Sequence, residues 1–241
     1  SCENNTDYNK KIKITNDMIS GLASDVTKLH LKKNQIVTLD DMLYSTMLSS
    51  AADAAQTLAI TTSGSLKEFV KLMNDKAKEL NLEHTHFQNV VGLYSKQNYS
   101  SASDMAKLLK YALQNEKFKS IFETKTYKLS FDKKIQSTLV GYNKKSKQDI
   151  SYITGSKTGY IKKAGYCLAS TATINDIDYL LITLNAYKDS TAHIKDSIKI
   201  YEYFSNNYGY HEIINKDDII TKLKVEKSNN RNIDIKSNYE K

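Results

Sequence analysis

The first half of the chain places apolar residues three or four positions apart, the spacing of helices that bury one face. The clearest example is segment 66–80, which starts with a capping box formed by Ser65 and Glu68. The apolar face of this segment comprises Phe69, Leu72, Met73, Ala77 and Leu80. We therefore predict an amphipathic helix here.

Weaker helical patterns lie on both sides of this segment. The sequence predicts helices over residues 16–29, 39–48, 103–112 and 191–204. Thr38 is typical of an N-cap for the second of these helices, because acidic residues follow it in the first turn. The small residues of segment 49–55 indicate a helix end that can approach its neighbours closely.

The period of the pattern changes from 3.6 to 2 at Thr126, which predicts β-structure in the second half. Predicted strands lie at about 11–15, 150–158, 166–174 and 179–186, and a turn at 175–178 joins the last two. The fold class is therefore α+β, with a helical lobe packed beside an antiparallel sheet lobe and a cleft between them. The expected core includes Leu43, Leu48, Phe69, Met73, Leu168, Leu181 and Ile182.

A length of 241 residues allows one large domain with a small appendage. We assign residues 1–210 to this domain and residues 211–241 to a tail, in which 219–225 reads as a strand and 213–235 as the beginning of a small β-rich domain. No run approaches the roughly 18 apolar residues of a membrane span, which leaves any membrane anchor outside this chain.

The net charge of +8 suits an anionic partner, but the lysines are spread along the chain without an arginine-rich block or a nucleic-acid motif. We therefore expect a solvated lysine surface and no nucleic-acid partner. Cys2 and Cys167 form no metal-binding spacing, and the pair His84 and His86 lacks a third ligand. No metal and no cofactor are expected.

The chemically informative stretch is Lys157-Thr158-Gly159, a K-T-G triplet followed by Tyr160. Lys157 would place a positive charge beside an anionic substrate, and the Thr158 hydroxyl could donate to the same carboxylate. Gly159 has no side chain, so a substrate can lie against the backbone. An exposed hairpin turn would carry the same triplet, so the motif alone leaves both interpretations open.

The order of several further segments resembles serine-type D-alanyl-D-alanine carboxypeptidases, the low-molecular-mass penicillin-binding proteins. The matching segments are 38–43, 50–55, 69–80, 85–89, 92–93, 99–102, 104–106 and 157–170, so the resemblance covers about residues 10–203. It implies a β-lactamase/transpeptidase-like fold and acyl transfer through a serine ester. No cofactor is implied, and the implied partners are peptidoglycan stem peptides ending in D-Ala-D-Ala and β-lactams.

The resemblance also implies roles for individual residues. An S-x-x-K motif supplies the serine nucleophile and its activating lysine. Ser50 stands at the serine of an S-x-N motif, which relays protons, and Lys157 belongs to the catalytic set. Thr158, Gly159 and Tyr160 form a substrate-binding wall, in which the Tyr160 N–H contributes to the oxyanion hole.

Three departures from the family pattern matter. The only S-x-x-K in the sequence begins at Ser130, on a segment of period 2 that would point Ser130 and Lys133 to opposite faces. We reject it as the nucleophile and expect that the nucleophile helix precedes this chain, which is then N-terminally truncated. Ala52 replaces the asparagine of S-x-N, and Val91 replaces a histidine in the family's His-Gly-Leu loop.

We expect the parent protein to remove the terminal D-alanine of stem peptides outside the cytoplasmic membrane, while the chain as given lacks the nucleophile. The alternative is a non-catalytic cell-wall-binding or scaffold homologue of the same fold, which Ala52 favours. A β-lactamase ranks lowest, because it needs a deacylating carboxylate and the asparagine that Ala52 replaces.

Overall fold

The computed structural model describes residues 7–210, 214, 216–224, 226 and 232–238, without the side chains of 145 and 146. The helices are α1 (Asn16–Ile19), α2 (Leu39–Leu48), α3 (Ala52–Ser63), α4 (Leu66–Glu79), α5 (Ala102–Ala112), α6 (Glu116–Glu123), α7 (Thr138–Ser146) and α8 (Ala192–Asn207). The strands are β1 (Lys11–Lys13), β2 (Ile36–Thr38), β3 (Thr126–Lys128), β4 (Lys134–Gln136), β5 (Ile153–Ile161), β6 (Gly165–Ile174), β7 (Ile177–Ala186), β8 (Ile219–Lys224) and β9 (Asn232–Lys236).

The helical lobe is built around α2 and α3. Thr38 caps α2 by accepting a hydrogen bond from the Asp41 N–H, and the Asp41 carboxylate accepts one from the Thr38 N–H, so two backbone donors at the helix start are satisfied. The core of this lobe is lined by apolar residues from β1, β2, α2, α3 and the β3–β4 hairpin, including Ile14, Val37, Met42, Leu48, Ala54 and Leu129. Burial of this shared apolar surface joins the helices to both small two-stranded sheets, β1–β2 and β3–β4.

The sheet lobe is a three-stranded antiparallel sheet in the order β5–β6–β7, with β5 at one edge. A second core lies between this sheet and the helices α7 and α8, and its buried members are Leu139, Ile153, Leu168, Ala172, Ile174, Ile194, Ile198 and Tyr201. On the opposite face, α6 packs against β5 and α5 packs against β7. The sheet therefore lies between two layers of helices, with α7 and α8 on one face and α5 and α6 on the other.

The predicted α+β architecture is confirmed, with helices first and an antiparallel sheet afterwards. The prediction of a helix over 16–29 is wrong beyond Ile19, because Ser20 is extended and Gly21 has a φ of +71°, which ends α1. Leu29 is nevertheless buried, since its N–H is held by the Asp53 carboxylate of α3. Helices α6 and α7 were not predicted.

The core prediction is confirmed for three residues: Leu43, Leu48 and Leu168 are buried. The other four, Phe69, Met73, Leu181 and Ile182, are half-buried and none is exposed. Phe69 and Met73 lie on α4, the outer helix of the lobe, so part of their surface remains accessible. The two-lobe interpretation is consistent with this distribution.

Residues 219–224 form the predicted strand, which pairs with β9 in an antiparallel hairpin. Every described residue of this hairpin is exposed. Residue 225 of the predicted strand lies outside the described residues. The division into residues 1–210 and a tail 211–241 stays a prediction. Among the described residues, no helix is long and apolar enough to cross a membrane.

His193 of α8 is an unusual member of the sheet-lobe interior, since it is 0% exposed and neither ring nitrogen has a hydrogen-bond partner. The ring stacks on Tyr166 with centroids 5.4 Å apart, and Tyr142 meets it edge-on at 5.2 Å. Burial lowers the pKa of His193, although the charges of Asp189 and Asp196 oppose the shift. The imidazole is therefore held neutral.

We expect the chain to lose stability as the pH falls through about 6.5, the ordinary pKa of histidine, because the unfolded chain then binds a proton that buried His193 does not. His193→Phe keeps the aromatic contacts but cannot titrate. Melting temperatures measured between pH 7.5 and 5 should therefore fall less steeply in this variant. Equal slopes in the two proteins would contradict the assignment.

Candidate active site

The site is organised by the edge strand β5. A β-bulge at Thr154 determines which side chains of this strand share a face. Ile153 pairs with Ala172 and Gly155 pairs with Thr171, so Thr154 is an extra residue. The bulge turns Thr154 and Gly155 to the same face, where the Thr154 and Thr171 hydroxyls lie 2.9 Å apart. From Gly155 onward the strand alternates regularly, which places Lys157 on this face and Thr158 on the other.

Gly155 allows the helical lobe to approach this strand. A Cβ atom at Gly155 would lie 2.3 Å from Cδ1 of Phe122, a residue of α6 that is 3% exposed. The absence of a side chain at position 155 is therefore what lets α6 pack against β5, two residues before Lys157.

Lys157 contacts Ser50 across the cleft between the lobes. The Lys157 ammonium donates a hydrogen bond to Ser50 Oγ and another, of 2.6 Å, to the Thr158 carbonyl oxygen. Burial lowers the pKa of Lys157 from 10.5 to about 8. No carboxylate among the described residues pairs with this ammonium. The site thus holds a desolvated cation that an anionic group of a substrate could neutralise.

Ser50 lies in the tight connection between α2 and α3. Its φ is +54°, in the left-handed region that costs a non-glycine residue about 1–2 kcal/mol. The Ala51 N–H donates to the Ser45 carbonyl, and the Ala52 N–H donates to the Thr27 carbonyl, so the backbone on both sides is fixed. Ser50 is therefore held in a strained conformation that presents its hydroxyl to Lys157.

Ala52, at the position of the missing asparagine, is the first residue of α3 and is 4% exposed. It supplies no side-chain hydrogen-bonding group to the cleft. The following residue, Asp53, is also buried and anchors the helix start by accepting bonds from the N–H groups of Leu29 and Leu31. The start of α3 is therefore fixed in place, and Ala52 presents no side-chain amide that could bind a substrate.

Thr158 faces the opposite side of β5 and is 6% exposed. Its hydroxyl is hydrogen-bonded to the hydroxyl of Thr138, the first residue of α7. Sequence reasoning missed Thr138 because segment 138–146 has no clear apolar period. The sequence Ser137-Thr138 at the end of the period-2 region was the one available signal for a helix start.

Gly159 and Tyr160 are exposed on the same edge strand, with Tyr160 52% exposed. The Tyr160 ring stacks on Tyr166 at 4.2 Å, and Tyr166 in turn stacks on His193. This column of rings connects the exposed end of the strand to the interior of the sheet lobe. A Cβ at Gly159 would lie 3.9 Å from Cys167 Cβ, so protein packing does not require glycine there, and its open backbone is free for a ligand.

The structure does not bring Ser130 and Lys133 together. Ser130 is in the turn between β3 and β4, not on a strand, and its hydroxyl donates to Asp41 Oδ2 at 2.5 Å. Lys133 donates to the Leu29 carbonyl at 3.0 Å. The rejected motif is therefore a pair of separate structural contacts on the helical lobe.

Comparisons with known sequences match most of this chain. The sequence profile of the family described as D-alanyl-D-alanine carboxypeptidase, Peptidase_S11, matches residues 3–188. D-alanyl-D-alanine carboxypeptidase DacF of Bacillus subtilis (strain 168) is 32% identical over 214 residues, which is 87% of this chain and 53% of DacF. D-alanyl-D-alanine carboxypeptidase of Streptomyces sp. (strain K15) is 33% identical over 162 residues, which is 63% of this chain and 56% of that protein.

Solved structures show the same fold. The crystal structure of the Streptomyces K15 DD-transpeptidase superposes with a TM-score of 0.73 at 28% identity, and the match covers 83% of this chain and 80% of that chain. The chain spans about half the length of the sequence relatives it matches. Since the family profile matches most of the chain, from the N-terminal region through β7, the chain belongs to the D-alanyl-D-alanine carboxypeptidase family.

Proposed function

We propose that the protein to which this chain belongs is a serine-type D-Ala-D-Ala carboxypeptidase that removes the terminal D-alanine of peptidoglycan stem peptides through an acyl-enzyme. The observation that carries the proposal is the contact of Lys157 with Ser50, which joins the K-T-G strand to the S-x-N position across the cleft. β-Lactams, which mimic the terminal dipeptide, would acylate the same nucleophile. The protein would then act on the cell-wall side of the cytoplasmic membrane.

The chemistry assigns separate tasks to the two residues. The Lys157 ammonium attracts the carboxylate of the terminal D-alanine, since a desolvated cation that no carboxylate of the described residues neutralises forms a strong charge-assisted bond. Ser50 Oγ accepts a bond from Lys157, which leaves its own proton free to be donated. As the nucleophile forms the ester and the C–N bond breaks, Ser50 can deliver this proton to the nitrogen of the departing D-alanine. Ser50 is reprotonated by the hydroxyl proton that the nucleophile gives up through the lysine of its S-x-x-K motif.

The exposed backbone of Gly159 and Tyr160 would complete the site. An edge strand offers unpaired N–H and C=O groups to an extended peptide, which can bind as an added strand. In the tetrahedral intermediate, the Tyr160 N–H would stabilise the oxyanion together with the N–H of the nucleophile. Water then attacks the ester and releases the shortened peptide.

In this proposal Ser130 is not the nucleophile, because its hydroxyl donates to Asp41 while the Lys133 ammonium donates to the Leu29 carbonyl. Ser50 contacts a lysine, but our proposal gives it the relay role.

We expect the 241-residue chain alone to form no stable covalent adduct with a labelled penicillin, since acylation needs a serine activated by its own base. Mass spectrometry after incubation measures this directly. A protein in which an S-x-x-K segment precedes the same 241 residues is the matched comparison, and it should gain one penicilloyl group. An adduct on any serine of the 241-residue chain would show that the nucleophile assignment is wrong.

A second candidate function is a non-catalytic wall-binding or scaffold homologue of the same fold. The buried Ala52 favours it, because the wall of α3 offers no amide to hold a substrate. The residues encoded immediately upstream of Ser1 discriminate the two candidates. An S-x-x-K motif there supports the enzyme, whereas a continuous chain without this motif supports the scaffold.

A further inference from the structure

Thr158 is expected to donate to the substrate carboxylate, yet its hydroxyl is buried and already has a partner. That partner is the hydroxyl of Thr138, a residue that is half-buried and therefore more exposed than Thr158. Anything that uses the Thr158 hydroxyl must be compatible with this bond. The K-T-G motif includes Thr158 and does not include Thr138.

The two hydroxyls carry two protons, and their mutual bond uses one of them. If Thr138 donates to Thr158, the Thr158 proton is free for another acceptor, and if Thr158 donates, the Thr138 proton is free. In either arrangement the pair offers one donor and has oxygen lone pairs available. A carboxylate, which only accepts hydrogen bonds, selects the arrangement that points a proton towards it.

Thr138 is held firmly enough to impose this arrangement. It begins α7 directly after Ser137, whose N–H donates to the Lys125 carbonyl at 2.8 Å and whose carbonyl accepts from the Val140 N–H at 3.0 Å. The next residue, Leu139, is buried in the sheet-lobe core. A hydroxyl fixed by a helix start on one side and a strand on the other loses little entropy when a ligand binds.

We propose that Thr138 is a specificity-determining residue of this site: through its hydrogen bond it orients the Thr158 hydroxyl to recognise a terminal carboxylate. The inference rests on the proposed function, because it takes the ligand to be a peptide ending in D-Ala-D-Ala. Lys157 supplies the attraction for negative charge from one face of β5, and the Thr138–Thr158 pair supplies a directed donor from the other. Together they distinguish a carboxylate from a neutral amide.

The test compares two peptides on the 241-residue chain: an acetylated tripeptide ending in D-Ala-D-Ala with a free carboxylate, and the same peptide as its C-terminal amide. Dissociation constants come from NMR titration, and their ratio measures carboxylate preference. Thr138→Val should lower this ratio about fivefold, the equivalent of about 1 kcal/mol for one neutral hydrogen bond. Thr138→Ser should restore the ratio to within about twofold of the unmodified chain.

Three further variants make the result specific. Gly141→Ala changes a residue on the same helix, where the added Cβ has no atom within 4 Å other than those of its chain neighbours and its own helix backbone, and should leave the ratio unchanged. Thr138→Val should add no loss to Thr158→Val, because Thr138 acts through Thr158. Thr138→Ala serves as the second variant if Thr138→Val melts at a lower temperature than the unmodified chain.

The outcomes separate this inference from the proposed function. Three results would overturn the role of Thr138. The first is that Thr138→Val and Thr138→Ala weaken the binding of both peptides equally. The others are that Thr138→Ser fails to restore the ratio, or that the losses from Thr138→Val and Thr158→Val are additive. If Lys157→Ala abolishes the carboxylate preference while the Thr138 variants keep it, the inference fails and the proposed function stands. If the unmodified chain does not distinguish the peptides, the proposed function and the inference fail together.

Discussion

Lys157→Ala should lower the rate of acylation by labelled penicillin on the order of ten- to a hundredfold, in a protein that carries an S-x-x-K segment before these 241 residues. The variant removes a charge-assisted bond to the ligand carboxylate, worth about 1.5–3 kcal/mol, and each 1.4 kcal/mol changes the rate tenfold. It also leaves Ser50 without its donor. The measurement is the second-order acylation rate constant.

Thr158→Val is the matched control for this prediction. It removes a neutral hydroxyl, worth roughly 1 kcal/mol, and should slow acylation several-fold. If Lys157→Ala slowed acylation no more than Thr158→Val does, the positive charge of Lys157 would not be the main contact that binds the ligand carboxylate.

Gly155→Ala should produce the largest loss of stability among single substitutions near the site. The new Cβ would lie 2.3 Å from the buried ring of Phe122, so either α6 or β5 must move. Overpacking of this kind costs about 1–3 kcal/mol, and in a chain of this size each kcal/mol lowers Tm by roughly 2–4 °C. Calorimetric melting of the purified chain measures the effect.

Gly141→Ala is the control for the backbone contribution of glycine. Gly141 lies inside α7 and an added Cβ would meet open space, so alanine there should raise stability by about 0.5–1 kcal/mol. A Gly155→Ala variant that melts at or above the temperature of the unmodified chain would show that α6 is not packed against β5 as described.

Local sequence rules predicted the elements whose ends are fixed by neighbouring residues. Thr38 caps α2 and Ser65 caps α4, because each accepts a bond from an N–H three residues later. The same rules failed at 16–29, where the apolar spacing looks helical. There the buried position of Leu29 is set by the carboxylate of Asp53, 24 residues away, which no local pattern contains.

The candidate site shows the same division. The K-T-G motif identified Lys157, and the order of motifs identified Ser50, 107 residues earlier in the chain, as its expected neighbour. The strain at Ser50, the bulge at Thr154 and the partnership of Thr158 with Thr138 follow from backbone geometry and tertiary packing. They leave no periodic trace in the sequence, so only the structure shows them.

The pKa of Lys157, measured by NMR of its side chain with and without a peptide ending in D-Ala-D-Ala, tests the central claim most directly. The free chain should show a pKa of about 8, because the ammonium is desolvated without an anionic partner. Saturation with the carboxylate peptide should raise this pKa, and peptide binding should weaken as the pH rises through the free value. The same peptide as its amide should leave the pKa unchanged. A pKa near 10.5 in the free chain, or one that the carboxylate peptide does not raise, would contradict the account.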